Sequence, residues 1–424
     1  MKASDLITAL KEDRFNDALQ NVYGSQASGQ IGRYCQAIEK FISLYGDKDV
    51  VIFSVPGRSE VLGNHTDHQH GEVLAAAINL DIIGVVHPTD DNIVKIVSDE
   101  YYLNPVDLSS LEIVEDEMGK SEALVRGVAA DMIGRGGKAG GFEAFMTSDV
   151  LQGSGLSSSA AFEVLIGTIF NGLYNANSFT PVQLAQIGQF AENKYFGKPC
   201  GLMDQTACSV GSLVHIDFGT PDEPFVEKVE ADFEKAGLNL CITDVHASHA
   251  DLTDDYAAIP GELKEVDHWF NEEFLHDVSE ADFYTNLAAV RKDLQNDRAL
   301  LRTIHIFEEN KRVEKGVADL KAGNIEGFLD MVNRSGKSSY QYLQNIYSDH
   351  DAKNQAVSLA LALSDVTLRD RGAYRVHGGG FAGTIQAFVP NDLVEEYVKV
   401  MDTVFGEGSC HVLNVRKDGG IQVL

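Results

Sequence analysis

The stretch Val150–Phe162, reading VLQGSGLSSSAAF, sets the reading of the whole chain. Gly153, Ser154 and Gly155 are followed by Leu156 and then by three hydroxyls, Ser157, Ser158 and Ser159. Behind them runs AAFEVLI, a good helix-forming sequence. Glycines permit a tight turn and close backbone approach to a ligand. The serines then stand at the mouth of a helix, where unpaired N–H groups and the positive end of the dipole favour an anion. The pattern describes a polyphosphate cradle, and the same residues also suit a plain glycine-serine loop with a serine N-cap.

Two further glycine-rich segments flank this one along the chain. Val55–Gly71 reads VPGRSEVLGNHTDHQHG, and His377–Gly383 reads HGGGFAG between apolar segments. Linker composition does not explain three such loops spread through 424 residues. Together they resemble the three motifs of the galactokinase, homoserine kinase, mevalonate kinase and phosphomevalonate kinase (GHMP) superfamily, and the galactokinases within it. The first motif is carried by Pro56-Gly57-Arg58 and Gly63-Asn64-His65-Thr66-Asp67, the second by Gly155–Ala160, and the third by Gly378-Gly379-Gly380. A fourth match, Gly201-Leu202-Met203-Asp204-Gln205, resembles the galactokinase segment that holds the catalytic aspartate. The resemblance runs from about Phe41 to the end.

The resemblance implies an α+β, two-domain GHMP kinase fold. Its N-terminal domain would be ribosomal protein S5 domain 2-like and its C-terminal domain a ferredoxin-like α/β unit, with the active site in the cleft between them. Proline and charge at Thr220–Pro224 suggest a boundary there, dividing the chain into 1–220 and 221–424. The length agrees with two or three domains of about 150 residues each.

Composition narrows the partners. With 34 basic and 64 acidic side chains the formal charge is −30, which argues against nucleic acid or an anionic membrane as partner. Any ATP site must therefore build its own positive field, from Arg58, a helix N-terminus and Mg²⁺. Five cysteines, Cys35, Cys200, Cys208, Cys241 and Cys410, form no CxxC and read as buried thiols in a reducing cytoplasm. No run of about 18 apolar residues is present, so no membrane span is expected. A monomer or weak homodimer is the expected state.

Local patterning predicts helices within 5–45, strands at Val50–Val55, Val73–Val86 and Val94–Val97, and a helix over Arg126–Gly134. A strand at Phe142–Thr147 leads into the serine loop, with helices Ala160–Leu173 and Pro181–Phe196 behind it and a strand over Ser212–Phe218. After a strand at Leu238–Val245, the stretch from Tyr256 to Asp370 reads as helical. The remainder returns to strand, helix (Asn391–Phe405) and strand.

No GxxxxGK[ST] occurs, so the serine loop would replace it: Gly153, Ser154, Gly155, Leu156, Ser157, Ser158 and Ser159 would bind ATP. By resemblance, Ser159 and Glu192 would coordinate Mg²⁺, Asp204 would be the base, and Arg58 would keep it ionised and stabilise the developing alkoxide. Asn64, His65, Asp67, Gly201 and Tyr256 match sugar-binding positions. The implied activity is ATP-dependent phosphorylation of the anomeric hydroxyl of galactose.

The sequence also departs from the galactokinase pattern. Glu60 stands where asparagine is expected and Asn64 where the sugar-contacting glutamate is expected. His68, Gln69 and His70 replace tyrosine, asparagine and glycine, and His377 replaces a threonine. An acceptor-only carboxylate has become an amide that both donates and accepts. That substitution keeps a kinase of another sugar open as an alternative, such as N-acetylgalactosamine, arabinose or a uronic acid. A non-catalytic galactose sensor is the remaining alternative, although the serine loop, Arg58 and Asp204 are all present. The group His65, Asp67, His68 and His70 lacks the further ligand that a closed zinc site would need.

Overall fold

The computed structural model describes residues 1–99, 102–150, 156–220, 223–247, 252–381 and 383–424, with the Ser25 side chain left aside. Seven strands build most of one sheet: β1 (Val51–Leu62), β2 (Glu72–Pro88), β3 (Ile93–Ser98), β4 (Val106–Asp107), β5 (Phe142–Ser148), β6 (Leu213–Asp217) and β7 (Phe225–Val229). Four build a second: β8 (Leu238–Asp244), β9 (Ala373–Val376), β10 (Thr384–Pro390) and β11 (Cys410–Leu413). The last, β12 (Ile421–Gln422), returns to the first sheet beside β1.

Helices cover both faces of the first sheet, so its central strands are apolar on each side. Along β1, Ile52 faces the N-terminal helices Ala3–Lys11 and Ala27–Tyr45, while Phe53 faces the helices Ser121–Gly134 and Ser158–Tyr174. In β2 the same alternation sends Ile83 and Val85 one way and Ile82 and Val86 the other, the two-residue period of a strand. The chain's last segment is held by Arg416, which donates to the fully buried Asp81 at 3.0 Å.

The second sheet is antiparallel in the order β11-β8-β10-β9. With the intervening helices this is a βαββαβ unit, the ferredoxin-like arrangement. Helices Ala356–Leu368 and Val394–Phe405 cover one face. The other face packs Leu240, Ile242 and Phe388 against Leu62 and Leu74 of the first sheet and against Val313 and Val317 of the helix Asp297–Lys321. One apolar cluster therefore joins the two sheets.

Sheet membership does not follow the expected division at 220/221. Strands β7 and β12 lie beyond that point yet pair into the first sheet. Strands β6 and β7, which lie on either side of the expected boundary, form an antiparallel pair within the first sheet. The helical reading of 5–45 resolves into helices Ala3–Lys11, Asn16–Tyr23 and Ala27–Tyr45. The expected helix Pro181–Phe196 is α-helical to Phe190 and then continues as a π turn, Ala191–Phe196.

Candidate functional site

Arg58 follows a register shift at Pro56/Arg58 in β1, and a second shift follows at Glu60/Leu62. Such irregularities bend a strand and re-aim its side chains. Here the buried Arg58 guanidinium meets Asp204: Nε donates to Oδ1 and Nη2 to Oδ2, each at 2.6 Å. Two parallel charge-assisted bonds fix orientation as well as charge. Asp204 also lies in the first turn of the helix Met203–Val210, whose positive end favours a carboxylate. The Ser157 hydroxyl donates to its Oδ2 as well. Burial alone would raise the Asp204 carboxyl. The Arg58 charge, its hydrogen bonds and Ser157 outweigh that and hold it below the usual carboxylate range.

Ser157 occupies the N-cap position of the helix Ser158–Tyr174 with φ +56°, and its hydroxyl goes to Asp204 instead of capping the helix. Expected as a phosphate-binding residue, it ties the serine turn directly to the aspartate. Leu156 is fully buried, and its carbonyl accepts the Arg58 N–H at 3.1 Å. Ser158 and Ser159 open the helix and line a cleft of about 320 Å³ together with Leu124, Phe162 and Phe196. Gly153, Ser154 and Gly155 lie outside the described residues.

Glu192 sits in the π turn and is 4% exposed, so it is not on a solvated helix face. Its Oε1 accepts from Lys198 Nζ at 3.2 Å and its Oε2 from Gln205 Nε2 at 2.9 Å. The same Gln205 nitrogen donates to Glu163 Oε2 at 3.0 Å, while Glu163 Oε1 has no partner among the described residues. Burial, reinforced by Glu192, pushes the Glu163 carboxyl well above its ordinary value. An unpaired buried carboxylate oxygen beside a second carboxylate suits a divalent cation with oxygen ligands. The residues present therefore fit Mg²⁺. Sequence reading missed Glu163 and Lys198 and quoted Gln205 only as part of the motif around Asp204. The signal for Glu163 was a lone charge inside the apolar AAFEVLI.

The sugar motif and the triple-glycine loop meet through backbone carbonyls. Asn64 Nδ2 donates to Gly378 O at 2.7 Å, His65 Nε2 to Gly379 O at 3.1 Å, and Tyr256 Oη to Gly380 O at 2.9 Å. Asn345 also donates to the Gly379 carbonyl, at 3.2 Å. The amide of Asn64 is fully engaged: Nδ2 also donates to Glu60, and Oδ1 accepts from Ser339 at 3.1 Å and Asn345 at 2.9 Å. Expected to face the sugar, this buried side chain holds the loop instead, because protein partners occupy its whole hydrogen-bonding capacity. Beneath it, Glu309 of the helix Asp297–Lys321 accepts the Gly63 N–H at 3.0 Å, and His305 of that helix donates to the Asn64 carbonyl at 2.9 Å.

Asp67 lies against the Gly201 backbone and within electrostatic reach of Asp204. A Cβ on Gly201 would come within 2.8 Å of Asp67 Oδ2, so glycine there lets the backbone lie against the carboxyl. Burial raises the Asp67 carboxyl, His65 pulls it back, and the Asp204 charge adds to the rise. Around His377, the Glu60 N–H donates to Nε2 at 3.3 Å, which leaves the proton on Nδ1 for Thr384 at 2.9 Å. Burial pushes this imidazole down to about 3, so it is neutral.

Residues 39–88 match the galactokinase galactose-binding signature, and 123–212 match the N-terminal domain of the GHMP kinases. The structure of Lactococcus lactis galactokinase complexed with galactose superposes with a TM-score of 0.75 at 25% identity, covering 91% of this chain and 98% of that one. Two other structures share the fold at lower identity. Methanococcus jannaschii mevalonate kinase has a TM-score of 0.61 at 14% identity, over 87% of this chain and 98% of its own. The D-glycero-D-manno-heptose 1-phosphate kinase from Bacteriodes thetaiotaomicron has a TM-score of 0.58 at 15% identity, over 88% and 98%. With both signatures present and a galactokinase structure matched along nearly its whole length, this chain is similar to the galactokinases of the GHMP kinase superfamily and shares their fold.

Proposed function

We propose that this protein transfers the γ-phosphate of ATP to the anomeric hydroxyl of a sugar, galactose first among candidates, giving the sugar 1-phosphate and ADP. The observation that carries this reading is Asp204, gripped on both oxygens by Arg58 and joined to the serine turn by Ser157.

Phosphoryl transfer asks the protein mainly for alignment and charge stabilisation. The turn 153–159 would present backbone N–H groups to the β- and γ-phosphates. Ser159 and Glu192 would hold Mg²⁺, whose role when bound is to neutralise phosphate charge, with Glu163 beside them. Asp204 would orient the sugar hydroxyl and accept its proton as the new O–P bond forms and the bond to ADP breaks. A carboxylate held this low by Arg58 is a weak base, which suits a loose transition state in which the proton leaves late. Arg58 remains beside the reacting oxygen as a fixed positive charge. Asp67 and the Gly201 backbone would contact sugar hydroxyls, while His65 and Tyr256 secure the triple-glycine loop over them.

A second reading, a kinase for another sugar, is favoured by the engaged amide of Asn64, which has nothing left to offer a hydroxyl. Coupled ADP release with galactose, N-acetylgalactosamine, arabinose and a uronic acid decides between the two. Galactose turnover that vanishes in Asp204→Asn supports the first. Failure to turn over any free sugar would refute both. Unpaired cysteines and the acidic balance support a cytoplasmic enzyme working as a monomer or weak homodimer. Among the described residues, no helix is long and apolar enough to cross a membrane.

A further inference from the structure

Asp255 lies in the first turn of the helix Thr253–Trp269, and Asp349 and His350 belong to a short 3₁₀ turn, Asp349–Asp351. One ligand atom from each lies within 4.8 Å of the other two. Asp255 is 7% exposed, and its Oδ2 makes no hydrogen bond among the described residues. It borders a cavity of about 470 Å³ that Asp349, Arg298, Tyr347 and Phe381 also line.

A buried carboxylate oxygen without a donor forfeits at least one hydrogen bond, and an ionised one forfeits more. The nearby guanidiniums do not supply that donor. Arg298 gives Nε and Nη2 to Glu262 at 3.0 and 2.6 Å, and reaches Asp349 only at 3.4 Å. Arg302 gives Nη1 to Glu262 at 2.8 Å and Nε to the Leu343 carbonyl. Glu262 takes most of their hydrogen bonds, Arg298 also pairs with Asp349, and Asp255 Oδ2 is left without a donor among the described residues.

We propose that Asp255, Asp349 and His350 form a site for one divalent transition-metal ion of the zinc class. An imidazole nitrogen with two carboxylate oxygens suits zinc better than magnesium or calcium, which prefer all-oxygen sets. Asp349 and His350 are exposed, so side-chain rotation can bring the three atoms around one ion. Three protein ligands leave a position for water or a further donor. The ion would clamp the start of the helix carrying Tyr256, whose hydroxyl reaches the triple-glycine loop. The site is separate from the Ser159 and Glu192 pair and does not depend on the kinase reading.

Isothermal titration of the full chain, free of nucleotide, with ZnCl₂ tests this beside Asp255→Asn and His350→Ala. The wild type should take up one tight equivalent that a hundredfold excess of MgCl₂ does not displace. Both variants should lose that equivalent or bind it at least tenfold more weakly. His350 is exposed, so its loss of binding cannot be a folding failure. Zinc should also raise the Tm of the wild type and leave that of Asp255→Asn unmoved. Equal zinc affinity in all three proteins, or displacement by magnesium, overturns the assignment.

Discussion

The side-chain amide of Asn64 donates to the carboxylate of Glu60 over 3.0 Å. Relative to the galactokinase pattern, amide and carboxylate have changed places across a direct hydrogen bond. The partner that fixes the new order is Arg375, fully buried, which donates Nη2 to Glu60 Oε1 at 2.6 Å and Nη1 to the Val61 carbonyl at 2.9 Å. Burial raises the Glu60 carboxyl, and Arg375 pulls it back part of the way.

Restoring the family order at one position should therefore cost more than restoring it at both. Glu60→Asn alone leaves the Arg375 charge buried without its nearest counter-ion, a loss of about 3–5 kcal/mol. Asn64→Glu alone sets a second carboxylate against the first and takes away the donor to Gly378. The double exchange keeps one carboxylate within the network and should recover at least ~1 kcal/mol relative to the sum of the single losses. Urea unfolding of the four proteins measures this. Strictly additive losses would show that the two positions are uncoupled.

Ser157→Ala removes one hydrogen bond that favours the ionised form of Asp204. The carboxyl should move up toward its ordinary range. If Asp204 works ionised, as the proposed function has it, activity survives acidification as long as its pKa stays low. The acidic limb of the kcat/KM profile should accordingly shift to higher pH in Ser157→Ala. Asp204→Asn should instead lose turnover at every pH, by about 10²–10⁴-fold. An unchanged limb in Ser157→Ala would mean that this hydroxyl does not tune the aspartate.

Much of this was legible before any coordinates, because close backbone approach and anion binding need particular residues in particular order. Arg58, Ser157 and Asp204 lie in three separate motifs, and the structure joins them through three hydrogen bonds. Asn64 was legible as unusual but not in its role, since its partners Ser339, Asn345 and Gly378 lie more than 270 residues away in sequence. The strand β7 was invisible for a similar reason, and the tail read as one strand is two, β11 and β12, in different sheets. Both β7 and β12 are five residues or shorter, and the neighbours they pair with decide which sheet each joins. Glu192 was read from family spacing alone, and the π turn that buries it leaves no mark in local periodicity.

Gly380→Ala should damage the loop more than Gly378→Ala. Both glycines have positive φ, +82° and +63°, which costs an alanine about 1 kcal/mol. At Gly378 an added Cβ meets open space, whereas at Gly380 it would overlap the Asn345 carbonyl oxygen. Relieving that overlap moves a loop whose carbonyls hold Asn64, His65 and Tyr256. Thermal unfolding should place Gly380→Ala well below Gly378→Ala, and KM for the sugar should rise in the first variant and stay near wild type in the second. Equal effects would show that the loop yields freely at this point.

Asp267 makes the pH dependence of stability testable away from the site. It is fully buried in the helix Thr253–Trp269, and neither oxygen has a hydrogen bond of ordinary geometry among the described residues. Burial, partly offset by the Gln69 amide and Lys264, pushes its carboxyl up to about 7. A carboxyl whose folded pKa lies above the unfolded value of 3.8 binds more protons folded than unfolded between those two points. Its contribution is therefore fully present below pH 4 and is lost as the pH climbs through about 7. Asp267→Asn removes the titration, and its amide oxygen can accept from Gln69 Nε2, which lacks a partner among the described residues. The variant should match or fall slightly below the wild type near pH 4 and exceed it at pH 8 by on the order of 4 kcal/mol. Tm measured across that range would follow two converging and crossing curves. Parallel curves would mean that Asp267 stays ionised throughout, with a counter-charge holding it so.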